Sequence, residues 1–196
     1  MKRPLRNRPR LALQLAVLLG AAAALAAGCS GVDNAYEPGD PGVCEIKRLP
    51  AARLIEARDA GPAYEESTMN RAFSPLFRYI RDNDIPMTAP VEMRQGKEAV
   101  MAFHLAPQCE ADKAPATGGP VSSRTLPKRS VAALAVRGAY TPERLRETEA
   151  TLRAWLAGKK EWAVAGEAYA VYWNSPFMPD FLKKSEVHIP VEPAKR

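Results

Sequence analysis

An internal repeat of low identity is the feature that most constrains how this chain can fold. The segment CEIKRLPAARLIEARDAG, which begins at Cys44, aligns with VSSRTLPKRSVAALAVRG, which begins at Val121, at a shift of 77 positions. In both copies a short strand meets Leu-Pro, and a second strand then runs to a glycine. Proline cannot donate to a central ladder, and glycine permits a turn with positive φ. The shared positions of Leu-Pro and glycine predict two copies of one folding unit.

A helical segment follows each copy of the repeat. In the first, apolar residues recur at helical spacing between Ser67 and Asp82, namely Met69, Ala72, Phe73, Leu76, Phe77 and Ile80. Pro75 means that this helix either kinks there or begins at the proline. The second helix begins with the capping sequence Thr141-Pro142-Glu143 and ends at Gly158. Its predicted buried face consists of Leu145, Leu152, Trp155 and Leu156.

Extended segments follow both helices, so the chain reads as a β-β-α-β-β unit that occurs twice. The predicted strands cover residues 85–94 and 98–106 after the first helix, and residues 163–164, 167–173 and 187–191 after the second. This order predicts one α+β domain over residues 43–193, with a curved, largely antiparallel sheet that closes on itself and two helices packed on it. Apolar space between helix and sheet is then the expected place for a ligand.

The first 28 residues have the organisation of a bacterial export signal. Five of the 28 basic residues lie in the first ten positions, and the apolar run Leu11 to Ala27 follows them. This run is at the short end for a helix that spans a bilayer, so cleavage is favoured. Leu25-Ala26-Ala27-Gly28-Cys29 resembles a lipobox, in which Cys29 is lipidated, for example with palmitate, and becomes the new N-terminus. The alternatives are an ordinary signal peptide and an uncleaved anchor.

The residues that follow Cys29 predict the location of the domain and exclude one class of partner. Residues 29–42 are rich in Gly, Pro and Asp and are predicted to be a flexible tether. Ser30, by resemblance to sorted lipoproteins, indicates the outer membrane of the bacterial envelope, with the domain facing the periplasm. Without the first ten residues the net charge falls from +6 to +1. Nucleic-acid binding therefore has no electrostatic support.

Two further cysteines, Cys44 and Cys109, lie 65 positions apart. An exported compartment permits a disulfide between them, and closing such a loop stabilises a domain by roughly 4 kcal/mol in the chain-entropy model. Two free buried thiols are the alternative. A metal site is not indicated, because neither cysteine has a partner at ligand spacing.

Three motifs carry a resemblance to a known family. They are Phe73-Ser74-Pro75-Leu76-Phe77-Arg78-Tyr79-Ile80, Met87-Thr88-Ala89-Pro90-Val91, and the run from Asn174 to Leu182 with Glu186-Val187. Together with the opening strand Glu45-Ile46-Lys47-Arg48, they resemble the SOUL haem-binding protein family over about residues 44–191. The resemblance implies a distorted β-barrel flanked by two helices, and reversible binding of haem or another tetrapyrrole in a shallow apolar crevice between the first helix and the loop before the last strand.

This resemblance also implies ligand-binding residues. Phe77 would form an apolar wall, while Arg71 and Arg78, seven positions apart, would present guanidinium groups from one helix face to the propionates. The loop would contribute Phe177, Phe181 and Lys183. The alternative is that Phe77 is an ordinary core residue and that Arg71 and Arg78 belong to an ordinary solvated helix face.

An iron ligand is harder to place. Where family members are proposed to use a first-strand histidine, the corresponding position lies near Arg48, which cannot ligate iron. His104 and His188 are the only histidines and are weak candidates, because each alternates with apolar residues along a strand and so faces away from the apolar row. If no residue ligates iron, binding depends on apolar contact and propionate pairing, as suits a carrier or scavenger.

The chain contains no recognisable catalytic motif, so the sequence predicts a protein that is not an enzyme. Phosphate loops, HExxH, paired CxxC and GxSxG patterns do not occur. The leading hypothesis is a lipid-anchored envelope protein that binds haem or a related tetrapyrrole. The alternative is a structural or protein-interaction module of the envelope that uses the same crevice for a peptide or lipid.

Overall fold

The computed structural model describes residues 32–106 and 119–194. Cys29, Cys109 and the export segment lie outside these ranges. The helices are α1 (Glu66–Asp82) and α2 (Pro142–Ala157), and a short 3-10 turn covers Asp180–Leu182. The strands are β1 (Asp33–Asn34), β2 (Cys44–Leu49), β3 (Ala52–Asp59), β4 (Thr88–Ala89), β5 (Val91–Gln95), β6 (Ala99–His104), β7 (Ser122–Leu126), β8 (Arg129–Arg137), β9 (Trp162–Val164), β10 (Tyr169–Tyr172) and β11 (Lys184–Pro193).

The element bounds follow the repeat. β2, β3 and α1 of the first copy correspond in order, and in length to within one residue, to β7, β8 and α2 of the second. After the helices several predicted strands are too long: residues 85–87 and 167–168 precede the observed strands, and residues 105–106 and 173 follow them. β11 is longer than predicted, since it begins at Lys184 and ends at Pro193.

One curled, antiparallel sheet joins the two copies, which confirms the predicted α+β fold with a barrel-like sheet. Its strand order is β2-β8-β11-β10-β5-β6-β3-β7, and β9 pairs with the far end of β11. The first strand of each copy pairs with the second strand of the other copy, β2 with β8 and β7 with β3. The two copies thus exchange a strand, and neither sheet half is complete without the other.

The two faces of this sheet differ in chemistry. One face carries the apolar side chains that pack against the helices, among them Ile55, Met93, Phe103, Leu134, Tyr172 and Ile189. α1 packs on β3 and β6, and α2 packs on β8 and β11. Because side chains alternate along a strand, the residues between these positions point to the other, concave face. That inner face holds most of the buried polar groups.

Both helices begin and end close to the predicted positions. α1 runs through Pro75 from Glu66, so the helix does not start at the proline. In α2, the hydroxyl of Thr141 accepts a hydrogen bond from the backbone N–H of Arg144 at 3.3 Å, and Pro142 occupies the first turn. The predicted buried faces are largely confirmed, but Phe77 is 46% exposed and Trp155 is only half-buried.

The repeated glycines play different roles. Gly138 has φ of +119°, a backbone conformation that is essentially restricted to glycine, as the repeat predicts. Gly61 does not have a positive φ, so that expectation is wrong for the first copy. A Cβ at Gly61 would lie 2.3 Å from Oγ1 of Thr68 in α1. Glycine is needed there because the helix approaches closely.

Replacing Gly138 with alanine should lower the free energy of unfolding by about 1–3 kcal/mol, because the new Cβ forces a strained φ. It would also lie 3.1 Å from the guanidinium carbon of Arg144. Gly158→Ala is the matched control, since Gly158 has φ of −79° and a Cβ there would make only ordinary contacts. Urea denaturation of both variants measures the difference, and equal stabilities would contradict the assigned strain.

Residues 32–42, for which the sequence predicts a flexible tether, lie against the barrel. β1 pairs in parallel with β4, and the backbone N–H of Gly39 donates to the buried carboxylate of Glu186 at 2.7 Å. The backbone N–H of Gly42 donates to the carbonyl of Ala135 at 2.8 Å. Composition alone cannot predict these contacts, because each joins the segment to a residue more than fifty positions away in sequence.

Among the described residues, no helix has the length and hydropathy needed to cross a bilayer.

Candidate functional site

Three phenylalanine rings lie on the outer surface of the domain. Phe177 is 95% exposed and Phe181 is 74% exposed, both in the loop between β10 and β11. Phe77 on α1 stacks on Phe73 with ring centroids 5.5 Å apart, and Phe73 meets buried Phe103 edge-on at 5.3 Å. The aromatic row on α1 therefore runs from the core to the solvent. Exposure of rings of this size is costly in water and typical of a surface that binds an apolar partner.

The strand register places these two aromatic elements at the same end of the sheet. Tyr172, at the end of β10, pairs with Val91, at the start of β5. The loop with Phe177 and Phe181 leaves the sheet just after Tyr172, and the connection from the C-terminal end of α1 enters the sheet just before Val91. The two elements between which the resemblance implies a crevice therefore both meet the sheet at this end.

The predicted basic residues are not equally available for a ligand. Arg71 donates to both carboxylate oxygens of Asp59, at 2.8 and 2.9 Å, and this hydrogen bonding lowers the pKa of Asp59 to about 2. Lys183 pairs with Asp180 at 2.8 Å and lies 5.4 Å from the centre of the Tyr140 ring. Arg78 is exposed on α1. Of the three, Arg78 presents its guanidinium to solvent, whereas Arg71 and Lys183 have carboxylate partners.

The inner face of the sheet carries a row of three buried glutamates. The three glutamates lie in one row of residues that are paired on adjacent strands, in the order Glu56, Ala102, Glu92, Val171, Glu186 and Ala135. Each glutamate pairs with at least one cationic side chain. Glu56 pairs with Arg94 and Arg124, Glu92 with Arg129 at 3.1 Å, and Glu186 with Lys47 at 2.8 Å. Buried carboxylates are retained only when they are paired in this way.

Both histidines belong to this inner network. Nε2 of His104 lies 3.0 Å from Glu92, and Nε2 of His188 lies 2.7 Å from Glu186. Nδ1 of His188 is 3.3 Å from the hydroxyl of Tyr169. Both rings face away from the apolar row, as the alternation predicts, and both are buried. An axial iron ligand needs a free ring nitrogen, and in His188 both nitrogens are already engaged.

Within residues 32–106 and 119–194, no group of three or more His, Cys, Asp or Glu side chains is arranged to hold a metal ion. Cys44 is half-buried at the start of β2, and burial raises the pKa of its thiol. Since Cys109 lies outside the described residues, its pairing with Cys44 stays a prediction.

The inner network was missed by sequence reasoning, although a signal for it exists. Glu186-Val187-His188 places two polar residues on one face of a strand, and the same alternation occurs in Glu92-Met93-Arg94. A strand that is polar on one face is usually interpreted as solvated on that face. Curling of the sheet, which depends on pairing between the two repeats, turns that face inward.

The family model described as SOUL heme-binding protein matches residues 36–190. No curated protein matches the chain.

Among solved structures, the crystal structure of the EcmrR C-terminal domain is 13% identical, with a TM-score of 0.61. The match covers 78% of this chain and 98% of that one. In the EcmrR-DNA complex the match covers 58% of the longer chain, with a TM-score of 0.60 and 13% identity. A hydrolase from Listeria innocua is 9% identical, with a TM-score of 0.55, and the match covers 80% of this chain and 94% of that one.

Identities this low show a shared fold alone. The family match is of a different kind, because it extends over most of the chain and includes α1, the Met87-Thr88-Ala89-Pro90-Val91 motif and the aromatic loop before β11. This chain belongs to the SOUL heme-binding protein family.

Proposed function

We propose that this protein is a lipid-anchored carrier or scavenger that binds haem or a related tetrapyrrole on its outer aromatic surface. Membership of the SOUL family indicates haem or tetrapyrrole binding. The observation that carries the proposal is the exposure of Phe77, Phe177 and Phe181 on two elements at one end of the sheet. Flat apolar rings fit the faces of a macrocycle, and their burial on binding supplies the affinity.

The residues present fit such a ligand without an iron ligand from the inner network. Phe77, Phe177 and Phe181 would contact the macrocycle, and the exposed guanidinium of Arg78 would pair with a propionate. His104 and His188 face the opposite side of the sheet and are hydrogen-bonded to glutamates. Contact and ion pairing alone give reversible binding, which is what a carrier requires.

Haemin titration of the purified protein, followed at the Soret band, tests this proposal. Saturable binding at micromolar concentration is expected. Phe77→Ala or Phe181→Ala should weaken binding by about tenfold, because each ring loses on the order of 1–2 kcal/mol of apolar burial. Val164→Ala is the matched control, since Val164 is also exposed but lies on β9. The absence of a saturable shift would reject haem binding and favour the interaction module.

Arg78→Glu should weaken haemin binding by about fivefold, because the substitution places a carboxylate near a propionate. Lys128→Glu makes the same charge change in the exposed turn between β7 and β8 and should leave the affinity unchanged. If the two variants bind haemin equally, Arg78 does not contact a propionate.

The anchor is a separate part of the proposal, supported by the lipobox-like sequence that ends at Cys29. In a bacterial host, Cys29→Ser should move the protein from the membrane fraction to the soluble fraction. Cys44→Ser is the matched control and should stay with the membranes, because Cys44 lies within β2 of the folded domain. A Cys29→Ser protein that still sediments with membranes would show that another segment anchors it.

A further inference from the structure

The N-terminal segment is held to the domain from its first strand onward. Asp33 and Asn34 of β1 pair with Thr88 and Ala89 of β4. The backbone N–H of the next residue, Ala35, donates to the carbonyl of Ala89 at 2.7 Å. The point at which the chain becomes fixed to the folded domain is therefore β1, and no later residue.

This attachment leaves only a short connection to the proposed lipid. Cys29 precedes Asp33 by four residues. An extended chain spans at most about 3.6 Å per residue, so a lipid on Cys29 would be attached within about 14 Å of Asp33. A free tether over residues 29–42 would reach about 50 Å. A domain anchored at Cys29 therefore stays close to the bilayer.

The outer aromatic surface lies at the same end of the sheet as β1. β4, the partner of β1, ends two residues before Val91, and Val91 pairs with Tyr172 at the end of β10. The ring of Tyr36, just after β1, lies 5.3 Å from the ring of Trp173, measured between centroids. Trp173 begins the loop between β10 and β11, four residues before Phe177. The attachment point of the chain and the exposed rings are thus neighbours.

The loop between β10 and β11 has local hydrogen bonds of its own. The backbone N–H of Met178 donates to the carbonyl of Ser175 at 3.1 Å, and that of Leu182 donates to the carbonyl of Pro179 at 2.9 Å. Backbone groups that are already paired cost less to bring to the edge of a bilayer. The two phenylalanine rings of the loop are largely exposed, and such rings gain free energy when they leave water. The loop therefore fits the interfacial region of a membrane.

We propose that the outer aromatic surface is a membrane-contact surface, and that Phe177 and Phe181 insert into the interface of the bilayer in which Cys29 is anchored. The proposal rests on the lipid proposed at Cys29 and deepens the haem proposal, because rings at this depth meet a tetrapyrrole dissolved in the bilayer. The anchor raises the local concentration of the loop at the surface, so weak insertion is sufficient. Two rings alone bind a membrane only weakly, which agrees with the release expected for Cys29→Ser.

Tryptophan quenching by brominated lipid tests the proposal. The mature protein, purified from its bacterial host, is incorporated into vesicles of phosphatidylcholine brominated near the top of one acyl chain. Phe177→Trp should lose about half of the emission that the substitution adds, because interfacial side chains lie about 5–10 Å into the headgroup boundary. Val164→Trp is the matched control and should keep its emission. Val164 is also exposed, but it pairs with Val191 at the far end of β11.

A second substitution tests whether the two rings insert together. Phe181→Ala in the Phe177→Trp protein should reduce the quenching by at least about twofold, because one of the two inserted rings is lost. Equal quenching of Phe177→Trp and Val164→Trp, or no quenching of either, would overturn the proposal.

Two further measurements separate this proposal from the proposed function. Mass spectrometry of the same preparation determines whether Cys29 carries a lipid, and haemin titration determines whether the protein binds haem. A lipidated protein without preferential quenching of Phe177→Trp keeps its anchor and overturns the membrane contact. Preferential quenching in a protein that binds no haemin, or carries no lipid, supports the membrane contact and rejects that part of the proposed function.

Discussion

Replacing Glu186 with alanine is expected to lower the free energy of unfolding by about 3–5 kcal/mol, because it removes the closest carboxylate partner of the largely buried Lys47. Glu186 is fully buried in β11. Its carboxylate accepts hydrogen bonds from Lys47 at 2.8 Å, from His188 at 2.7 Å and from the backbone N–H of Gly39 at 2.7 Å. One substitution therefore frees donors on β2, on β11 and in the N-terminal segment.

The measurement is urea denaturation of Glu186→Ala beside the wild-type protein. Glu143→Ala is the matched control, since Glu143 is a solvent-exposed glutamate paired only with Arg146 on the surface of α2. Exposed pairs of this kind contribute little, so the control should unfold with the wild type. Similar stabilities of the two variants would mean that the inner network does not hold the N-terminal segment and the sheet together.

The same carboxylate gives the protein a predictable response to acid. Burial alone would raise the pKa of Glu186, but hydrogen bonds from His188, Lys47 and Gly39 lower it to about 2, below the ordinary 4.5. A folded-state pKa below the unfolded one stabilises the fold above pH 4.5, and this contribution is lost as pH falls towards 2. It amounts to about 3 kcal/mol.

A pH series of urea denaturations tests this dependence. Wild-type stability should fall between about pH 5 and pH 2, and Glu186→Gln should show a shallower fall because its amide does not titrate. Burial also lowers the pKa of His188, so the histidine adds a loss of the same sign below pH 6.5. Parallel curves for the two proteins would contradict the assignment to Glu186.

Replacing Phe103 with alanine should lower the free energy of unfolding by about 3–5 kcal/mol, through lost apolar burial and the cavity left behind. Phe103 lies on the helix-facing side of β6 and is 1% exposed. Its ring meets Phe73 of α1 edge-on, so the substitution also loosens the contact between the helix and the sheet.

Phe77→Ala is the matched control for Phe103→Ala, because it removes the same ring from the exposed end of the aromatic row. Its effect on stability should be about 1 kcal/mol or less, since nearly half of the ring is already in water. Denaturation and haemin titration together separate the two roles. Phe103→Ala should act mainly on stability, and Phe77→Ala mainly on haemin affinity. The reverse order would show that the row does not run from core to ligand surface as described.

The repeat and the helices could be predicted from sequence because their signals are local. Leu-Pro followed by a strand and a glycine marks the same turn twice, and Thr141-Pro142-Glu143 caps α2 with its own side chain. Apolar spacing identified Ala72, Leu76 and Ile80 as buried residues of α1. It could not show that Phe77 is half-exposed, because periodicity defines a face and not the extent of the surface that covers it.

Other parts of the domain depend on contacts between distant segments. The Gly, Pro and Asp content of the N-terminal segment predicts a tether, but the backbone N–H groups of Gly39 and Gly42 donate to Glu186 and Ala135, far away along the chain. Spacing along the chain also does not show which basic residues are available to pair with a ligand. Arg71 and Arg78 share a helix face, yet Asp59 of β3 pairs with Arg71.

The sequence by itself determined the duplicated α+β unit, the two helices and the motifs of the SOUL family, because each follows from residues close together in the chain. Only the tertiary structure decided which face of the sheet is enclosed. Exchange of β2 and β7 between the repeats curls the sheet, and the curl turns Glu92, Glu186 and both histidines inward instead of towards solvent. Alternation along a strand assigns side chains to faces, but pairing between distant strands decides which face is buried.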